Sequence, residues 1–326
     1  MNNIFNFLDE QKLKTKHFSQ KVEFYIPECL PKGLIVLIYA DGGQGKSYLS
    51  LALTKELLDI NIKKLIYLDF DNPLTVLKDR GVDKIIESYA NLNYIQRSSL
   101  DMQPFELLLK LEEEAKANTY KDCVFVVDAI RNFVDITNDA KTLRAMEAFM
   151  NIRDAGATII LLHHSNKDGK NYQGSNNIRN SVDCMYQLKK HQSNDGEINI
   201  TLEAKKERAG IKDVGFCLDI DTLKLTPLDM TVANMNEYEE NFVTKAKQTL
   251  KGKKLNKTQL LGELGYKKDD KTARDTLDKF TDVFWVAVKK GNVYTYELTT
   301  STTSTTCPKI GEVAKVVDVV EERITA

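Results

Sequence analysis

The chain has 326 residues, with 46 Lys and Arg against 47 Asp and Glu and a formal net charge of −1. That length accommodates about two domains of ordinary size. Hydrophobic residues at 42% and charged residues at 29% are proportions of a packed globular protein, which excludes whole-chain disorder, a collagen-like repeat and a uniformly basic nucleic-acid coat.

Residues 1–10 lack the basic start and apolar centre of a signal peptide. Ile4, Phe5, Leu8 and Leu13 instead suggest an amphipathic arm over residues 1–20, which either latches onto a neighbouring subunit or packs on its own domain. From 21 to 228, strand-like apolar runs at 33–39, 64–70, 123–127, 158–163, 181–188, 198–204 and 214–220 dominate. Helical patterns at 46–58, 105–117 and 142–154 lie between the early ones. Fully apolar stretches such as Val124 to Val127 read as strands buried on both faces. Strands alternating with helices predict an α/β domain over 21–235, doubly wound on a mostly parallel sheet. The closely spaced later strands extend that sheet in antiparallel pairs. No apolar run approaches the ~20 residues that span a bilayer. The five cysteines are scattered, with no Cys-x-x-Cys pair, so neither a disulfide framework nor a zinc ribbon is expected, and the compartment reads as a reducing cytoplasm.

Composition shifts near residue 240. Residues 241–300 hold 13 Lys and Arg against 7 Asp and Glu. Helical patterns at 242–251, 256–264 and 270–280 precede strands at 283–288 and 293–298, which flank a Lys289-Lys290-Gly291-Asn292 turn. This order predicts a winged helix-turn-helix over 240–298. Lys271, Arg274 and Lys279 lie on its recognition-type helix, and Lys289 and Lys290 at its wing tip, suited to duplex DNA or to a protein partner. Phe284 and Trp285 read as core. A Ser/Thr run at 299–306 then leads to a short amphipathic stretch at 310–324.

The strongest chemical signal is Ala40-Asp41-Gly42-Gly43-Gln44-Gly45-Lys46-Ser47, followed by Tyr48. It fits G-x-x-x-x-G-K-S with Ala40 at the first position, after an apolar strand and before a helix. Glycines there let backbone amides converge on phosphate oxygens at the positive end of a helix. Lys46 then reaches the β- and γ-phosphates of ATP and Ser47 ligates Mg²⁺. Asp128 ends the buried run 123–127, where an acid can support the same metal.

Residues 35–47, Ile66-Tyr-Leu-Asp-Phe-Asp-Asn-Pro73, Val126-Val-Asp-Ala-Ile-Arg131 and Leu161-Leu-His-His-Ser-Asn-Lys167 occur in the order found in RecA-like hexameric ATPases. Over about 21–228 the chain most resembles the RepA-type replicative helicases of broad-host-range plasmids, and more distantly the DnaB-type helicases. The resemblance implies a carboxylate at the end of the second strand that orients the attacking water. That position falls on Asp71, where the family usually has Glu, with Asp69 the rival. It implies that His164, of the pair His163-His164, senses the γ-phosphate. Two adjacent strand histidines point to opposite faces, which disfavours a shared metal. In Lys205-Lys206-Glu207-Arg208-Ala209-Gly210, the resemblance makes Arg208 an arginine finger for the neighbouring subunit and Lys206 its partner. The Arg that RepA-type proteins carry before Gly-Ser is here Gln173, which leaves Arg208, or more weakly Arg179, to supply that charge. The segment 165–177 becomes a channel loop in which Lys167 and Lys170 touch single-stranded DNA, and 135–141 a second one. The implied function is an ATP-driven, ring-forming replicative helicase, a hexamer. The competing readings are an ATP-switched DNA-binding regulator or loader, and a recombination or defence ATPase.

Overall fold

The structure is a computed structural model that describes residues 4–15, 21–116, 119–166, 169, 171–191, 196–291 and 293–299. In chain order, helix α1 (Ile4–Gln11) precedes the small antiparallel pair β1 (Phe24–Ile26) and β2 (Leu30–Pro31). Then come β3 (Ile35–Ala40), α2 (Lys46–Asp59), β4 (Lys64–Asp69), α3 (Leu74–Asp79), α4 (Val82–Ser88), β5 (Leu92–Gln96) and α5 (Pro104–Glu113). They are followed by β6 (Cys123–Asp128), α6 (Asp139–Asp154), β7 (Thr158–His164), α7 (Asn176–Ser181), β8 (Cys184–Lys190), β9 (Glu197–Lys206), β10 (Val214–Asp219) and β11 (Leu225–Leu228). The remainder is α8 (Met230–Ala233), α9 (Glu237–Leu250), β12 (Leu255–Asn256), α10 (Lys257–Glu263), α11 (Lys271–Lys279), β13 (Trp285–Lys290) and β14 (Val293–Leu298).

One nine-stranded sheet organises the larger part, in the order β11-β10-β9-β8-β3-β7-β6-β4-β5. The strands from β8 to β5 run parallel, and β9, β10 and β11 add antiparallel neighbours. The pleat sends Val36, Ile38 and Ala40 into one core, with the leucines of α2, and Ile35, Leu37 and Tyr39 into the other, with α6. Both faces are covered, which is why these strands read as unbroken apolar runs.

Several boundaries differ from the sequence-based expectation. The run 181–188 begins as strand only at Cys184, because 176–181 form α7 behind the cap Ser175. Residues 139–141 are not loop but the first turn of α6, since the Asn138 side chain accepts the Lys141 amide at 3.0 Å. The strand β5 and helices α3 and α4 were not expected. β5 buries only its first residue fully, so it lacks the apolar signature of a central strand. Residues 237–298 enclose a core of their own around Phe242, Leu277, Phe280 and Trp285, whose indole N–H donates to the Leu277 carbonyl at 3.1 Å. The three helices and the hairpin predicted there are present, and β12 adds a third strand to the order β12-β14-β13. Ile4, Phe5, Leu8 and Leu13 are all exposed, and the stretch 310–324 lies outside the described residues. Among the described residues no helix is long and apolar enough to cross a membrane.

Candidate active site

β3 hands the chain from Ala40 to the phosphate loop at the carboxyl edge of the sheet. Gly43 and Gly45 have φ of +75° and +87°, a backbone that a side chain would strain. They turn the loop back onto α2. That helix has no side-chain cap and no acid in its first turn, so its first amides stay available to an anion. Lys46 is buried and donates to the carbonyls of Ala40 and Asp41 at 2.9 and 2.8 Å. Burial pulls its pKa below the usual lysine value, against the nearby charges of Asp128 and Asp71. Gln44 accepts the Lys190 amide at 3.1 Å and ties the loop to the end of β8.

β6 sets Asp128 beside this loop. Its Oδ2 accepts from Ser47 Oγ at 3.1 Å and from Asn72 Nδ2 at 3.2 Å. Burial, with the carboxylates of Asp69 and Asp71, pushes the Asp128 pKa up to about 7. A cation relieves that crowding, and a hydroxyl with one carboxylate is what a protein contributes to a Mg²⁺–nucleotide site. Among the described residues no three His, Cys, Asp or Glu side chains are grouped to hold a metal alone, so phosphate oxygens and water complete such a site.

The two candidate carboxylates of the second strand have different surroundings. Asp69 is fully buried and accepts from the amides of Asp71 and Asn72, from Asn72 Nδ2 and from the Tyr94 hydroxyl, at 2.7 to 3.1 Å. Those bonds occupy it as the cap of the turn into Pro73. Asp71 lies past the turn with part of its side chain exposed. Its Oδ1 accepts from Arg131 Nη2 at 2.9 Å and Asn132 Nδ2 at 3.3 Å, and its Oδ2 is 3.8 Å from His164 Nε2. Burial pushes its pKa up, but the Arg131 and Asn132 bonds outweigh this and hold it below the usual carboxylate value.

His163 and His164 end β7 on opposite faces. His163 is fully buried, with Nε2 2.6 Å from the Gln173 carbonyl, and burial pushes its pKa down to about 4. A neutral ring beside a carbonyl carries its proton on Nε2. Among the described residues His164 Nε2 has no hydrogen-bond partner, and burial with the charges of Lys46 and Arg131 lowers its pKa. The chain then enters a loop whose residues Ser165 and Tyr172 pair across it. Its return is pinned at Gly174, where an added Cβ would meet the Ile136 carbonyl oxygen at 2.8 Å. Ser175 donates its amide to that oxygen at 3.0 Å and its hydroxyl to Asp139. The loop after β7 and the loop after β6 are therefore braced on each other. Lys167 and Lys170 lie outside the described residues.

Lys206 and Arg208 sit elsewhere. β9 runs against β8, so Lys206 pairs with Met185, and Cys184 pairs with Val36 at the start of β3. They occupy the amino edge of the sheet, roughly 15 Å of strand from the phosphate loop. Lys206 Nζ donates to the carbonyls of Arg179, Asn180 and Val182 at 2.5, 3.3 and 2.6 Å, closing the end of α7. Arg208 pairs with the buried Asp183 at 3.4 Å. Neither can reach the phosphate loop of its own subunit. Gln173 and Arg179 both lie on the segment that returns from the β7 loop. On α11, Lys271, Arg274 and Lys279 share the exposed face with Asp275 and Asp278. Lys279 is paired with Glu239 and Asp278 with Lys257. Lys289 is exposed near the hairpin tip and lies over the Tyr294 ring; Lys290 ends β13.

Residues 3–170, just over half of the chain, match the AAA domain family. The chain belongs to that family. The sheet places β7 between the phosphate-loop strand and the strand of Asp128, and the nine-stranded sheet with its helices is a RecA-like P-loop ATPase fold, a family that implies nucleotide binding. Two solved structures are similar to this AAA domain protein at low identity. The flagellar accessory protein FlaH from Methanocaldococcus jannaschii is 19% identical, covering 57% of this chain and 85% of its own, with a TM-score of 0.41. The RadB recombinase is 15% identical, covering 58% and 89%, with a TM-score of 0.42. No curated protein matches the chain. Asn72, which bridges Asp69 and Asp128, and Arg131, which holds Asp71, have roles that the sequence does not announce. Both lie inside motifs that were visible, but their partners are distant in sequence.

Proposed function

We propose that this AAA domain protein hydrolyses ATP as a ring-forming replicative DNA helicase moving along single-stranded DNA. The observation that supports this best is the path from Asp71 across 3.8 Å to His164, and from there directly into a loop braced on its neighbour. In this reading Lys46 and the loop amides hold the phosphates, and Ser47 and Asp128 hold Mg²⁺. The metal supplies charge neutralisation at the phosphate oxygens. Asp71 orients a water whose oxygen bonds to the γ-phosphorus. The bond to the β–γ bridging oxygen breaks, its electron pair leaves with ADP, and the water proton departs with the phosphate. His164 reports the loss of that phosphate to the loop carrying Lys167 and Lys170, which grips the DNA backbone. Arg208 serves a neighbouring subunit of the hexamer, with Lys206 fixing the end of α7 beside it. The unit at 237–298 is read as a winged helix that contacts duplex DNA through Lys271, Arg274, Lys289 and Lys290.

Steady-state hydrolysis measured without DNA, with single strands and with duplex tests the proposal. Stimulation of roughly tenfold or more by single strands, accompanied by strand displacement, is the expected result. A slow rate that ignores single strands would replace it by the second reading, an ATP-switched DNA-binding regulator or loader. The clamp of Arg131 on Asp71 is the feature that favours that alternative.

A further inference from the structure

Asp71 is a weakened base while it is held as it is here, even though its Oδ2 carries no hydrogen bond among the described residues. One oxygen takes two donors, and one of these is a guanidinium. A carboxylate in a charge-assisted bond of that kind is a poor acceptor for a water proton. Arg131 stands on the short helical turn Ile130–Asn132 that follows β6, at the same edge of the sheet as Lys46 and Asp128. Its side chain is 44% exposed, so packing does not fix it in place. It is 2.9 Å from Asp71, which is itself 3.8 Å from His164, and its charge adds to the burial that lowers the pKa of Lys46 and His164, so the guanidinium lies among the groups that would surround a terminal phosphate.

We propose that Arg131 is a γ-phosphate-binding residue acting within its own subunit, clamping Asp71 when the γ-phosphate is missing and moving onto the γ-phosphate oxygens when ATP is bound, which releases Asp71 to orient water. This rests on the ATPase reading above. The exchange is favoured by charge and by shape. A terminal phosphate carries more negative charge than a carboxylate and offers three oxygens to the planar fork of an arginine. Asn132 remains on Asp71 as a neutral donor and keeps the carboxylate aimed. Hydrolysis then reverses the exchange, because the departing phosphate returns Arg131 to Asp71. The ADP-bound and nucleotide-free subunits are thereby kept from activating water.

Calorimetric binding of ADP and of a non-hydrolysable ATP analogue, each with Mg²⁺, to the full chain tests the assignment. Arg131→Ala is expected to weaken the analogue about tenfold or more while ADP stays within about twofold, the signature of a lost charge-assisted contact to the third phosphate. Its kcat is expected to fall roughly a hundredfold or more. Asp71→Ala moves the other way. With its competitor removed, Arg131 should bind the analogue several-fold more tightly, and that gain should vanish in the double variant. Equal losses for both nucleotides in Arg131→Ala, or a gain in Asp71→Ala that survives in the double variant, would overturn the assignment. Should Arg131→Ala not fold, a gain in Asp71→Ala that Arg131→Lys reduces supports the assignment, and an unchanged analogue affinity in Asp71→Ala overturns it. A wild-type chain that binds neither nucleotide overturns the ATPase reading together with this one. Intact binding with unaltered selectivity at Arg131 overturns this one alone.

Discussion

Asp128 and Asp183 are both almost fully buried, at opposite edges of the same sheet. Asp183, on the amino edge, accepts the Ile35 amide at 2.9 Å and two bonds from Arg153 at 3.1 and 3.2 Å, with Arg208 at 3.4 Å beyond. Its charge is matched by a cation and its lone pairs are filled. Asp128, on the carboxyl edge, has two neutral donors and two carboxylate neighbours. One aspartate belongs to the fold; the other has Lys46 nearby but, among the described residues, no cation in ion-pair contact, which leaves it open to a metal. Amino-edge charges hold strands and helix ends together, whereas the carboxylates of the carboxyl edge crowd one another in a way that a bound cation would relieve.

Removing each aspartate turns that contrast into a difference of sign. Asp183→Ala is expected to destabilise the chain by about 3–5 kcal/mol, because it strands the first amide of β3 and removes the buried partner of Arg153. Urea denaturation of the two proteins measures it, and a cost under about 1 kcal/mol would mean that water replaces the carboxylate. Asp128→Asn should do the opposite in the absence of nucleotide. Its folded pKa, raised to about 7, makes the ionised form the disfavoured one. The penalty is present above about pH 7 and disappears as pH falls toward the ordinary carboxylate value near 4. The amide removes it, so a gain on the order of 3 kcal/mol is expected at pH 8 and little at pH 4. If Mg²⁺ and nucleotide bind as proposed, the same variant should lose the stabilisation they give the wild type. Loss of stability at pH 8 would show that Asp128 is satisfied by neighbours in the way that Asp183 is.

The same division explains what could be read from sequence. The phosphate loop was visible because its chemistry is local: glycine turns, a lysine and a hydroxyl within eight residues, between a strand and a helix. Asp128 was visible because a buried strand ends on it. The parallel core was legible from apolar runs, and the second core from helical spacing beginning at Phe242 and the hairpin that carries Trp285. What stayed hidden depends on register. Nothing near Asp183 in sequence announces Arg153 or the Ile35 amide, which come from α6 and β3. Asp69 and Asp71 look interchangeable on one strand. Only the folded turn shows Asp69 occupied by Asn72 and Tyr94, with Asp71 facing Arg131 and His164. Lys206 reads as a catalytic cation by motif, yet three carbonyls at the end of α7 absorb its ammonium in this subunit.

Arg208 gives the smallest expected effect on stability and separates the two edges most cleanly. Its side chain is 55% exposed, and its contact to Asp183 at 3.4 Å is longer than those Asp183 receives from Ile35 and Arg153. An ion pair so open to solvent contributes little, so Arg208→Ala should cost less than about 1 kcal/mol. Asp183 keeps its other partners, and the amino edge stays intact. If Arg208 reaches a neighbouring subunit's nucleotide, hydrolysis should nevertheless fall by roughly a hundredfold or more, since an arginine at a transferring phosphoryl group contributes that much. Mixing Arg208→Ala with Lys46→Ala subunits decides where the loss arises. Each parent is inactive, but a mixed ring contains interfaces with an intact Lys46 on one side and an intact Arg208 on the other. Activity recovered on mixing requires a site shared between subunits. No recovery, or a normal rate in Arg208→Ala alone, would return Arg208 to the amino edge as one more partner of Asp183.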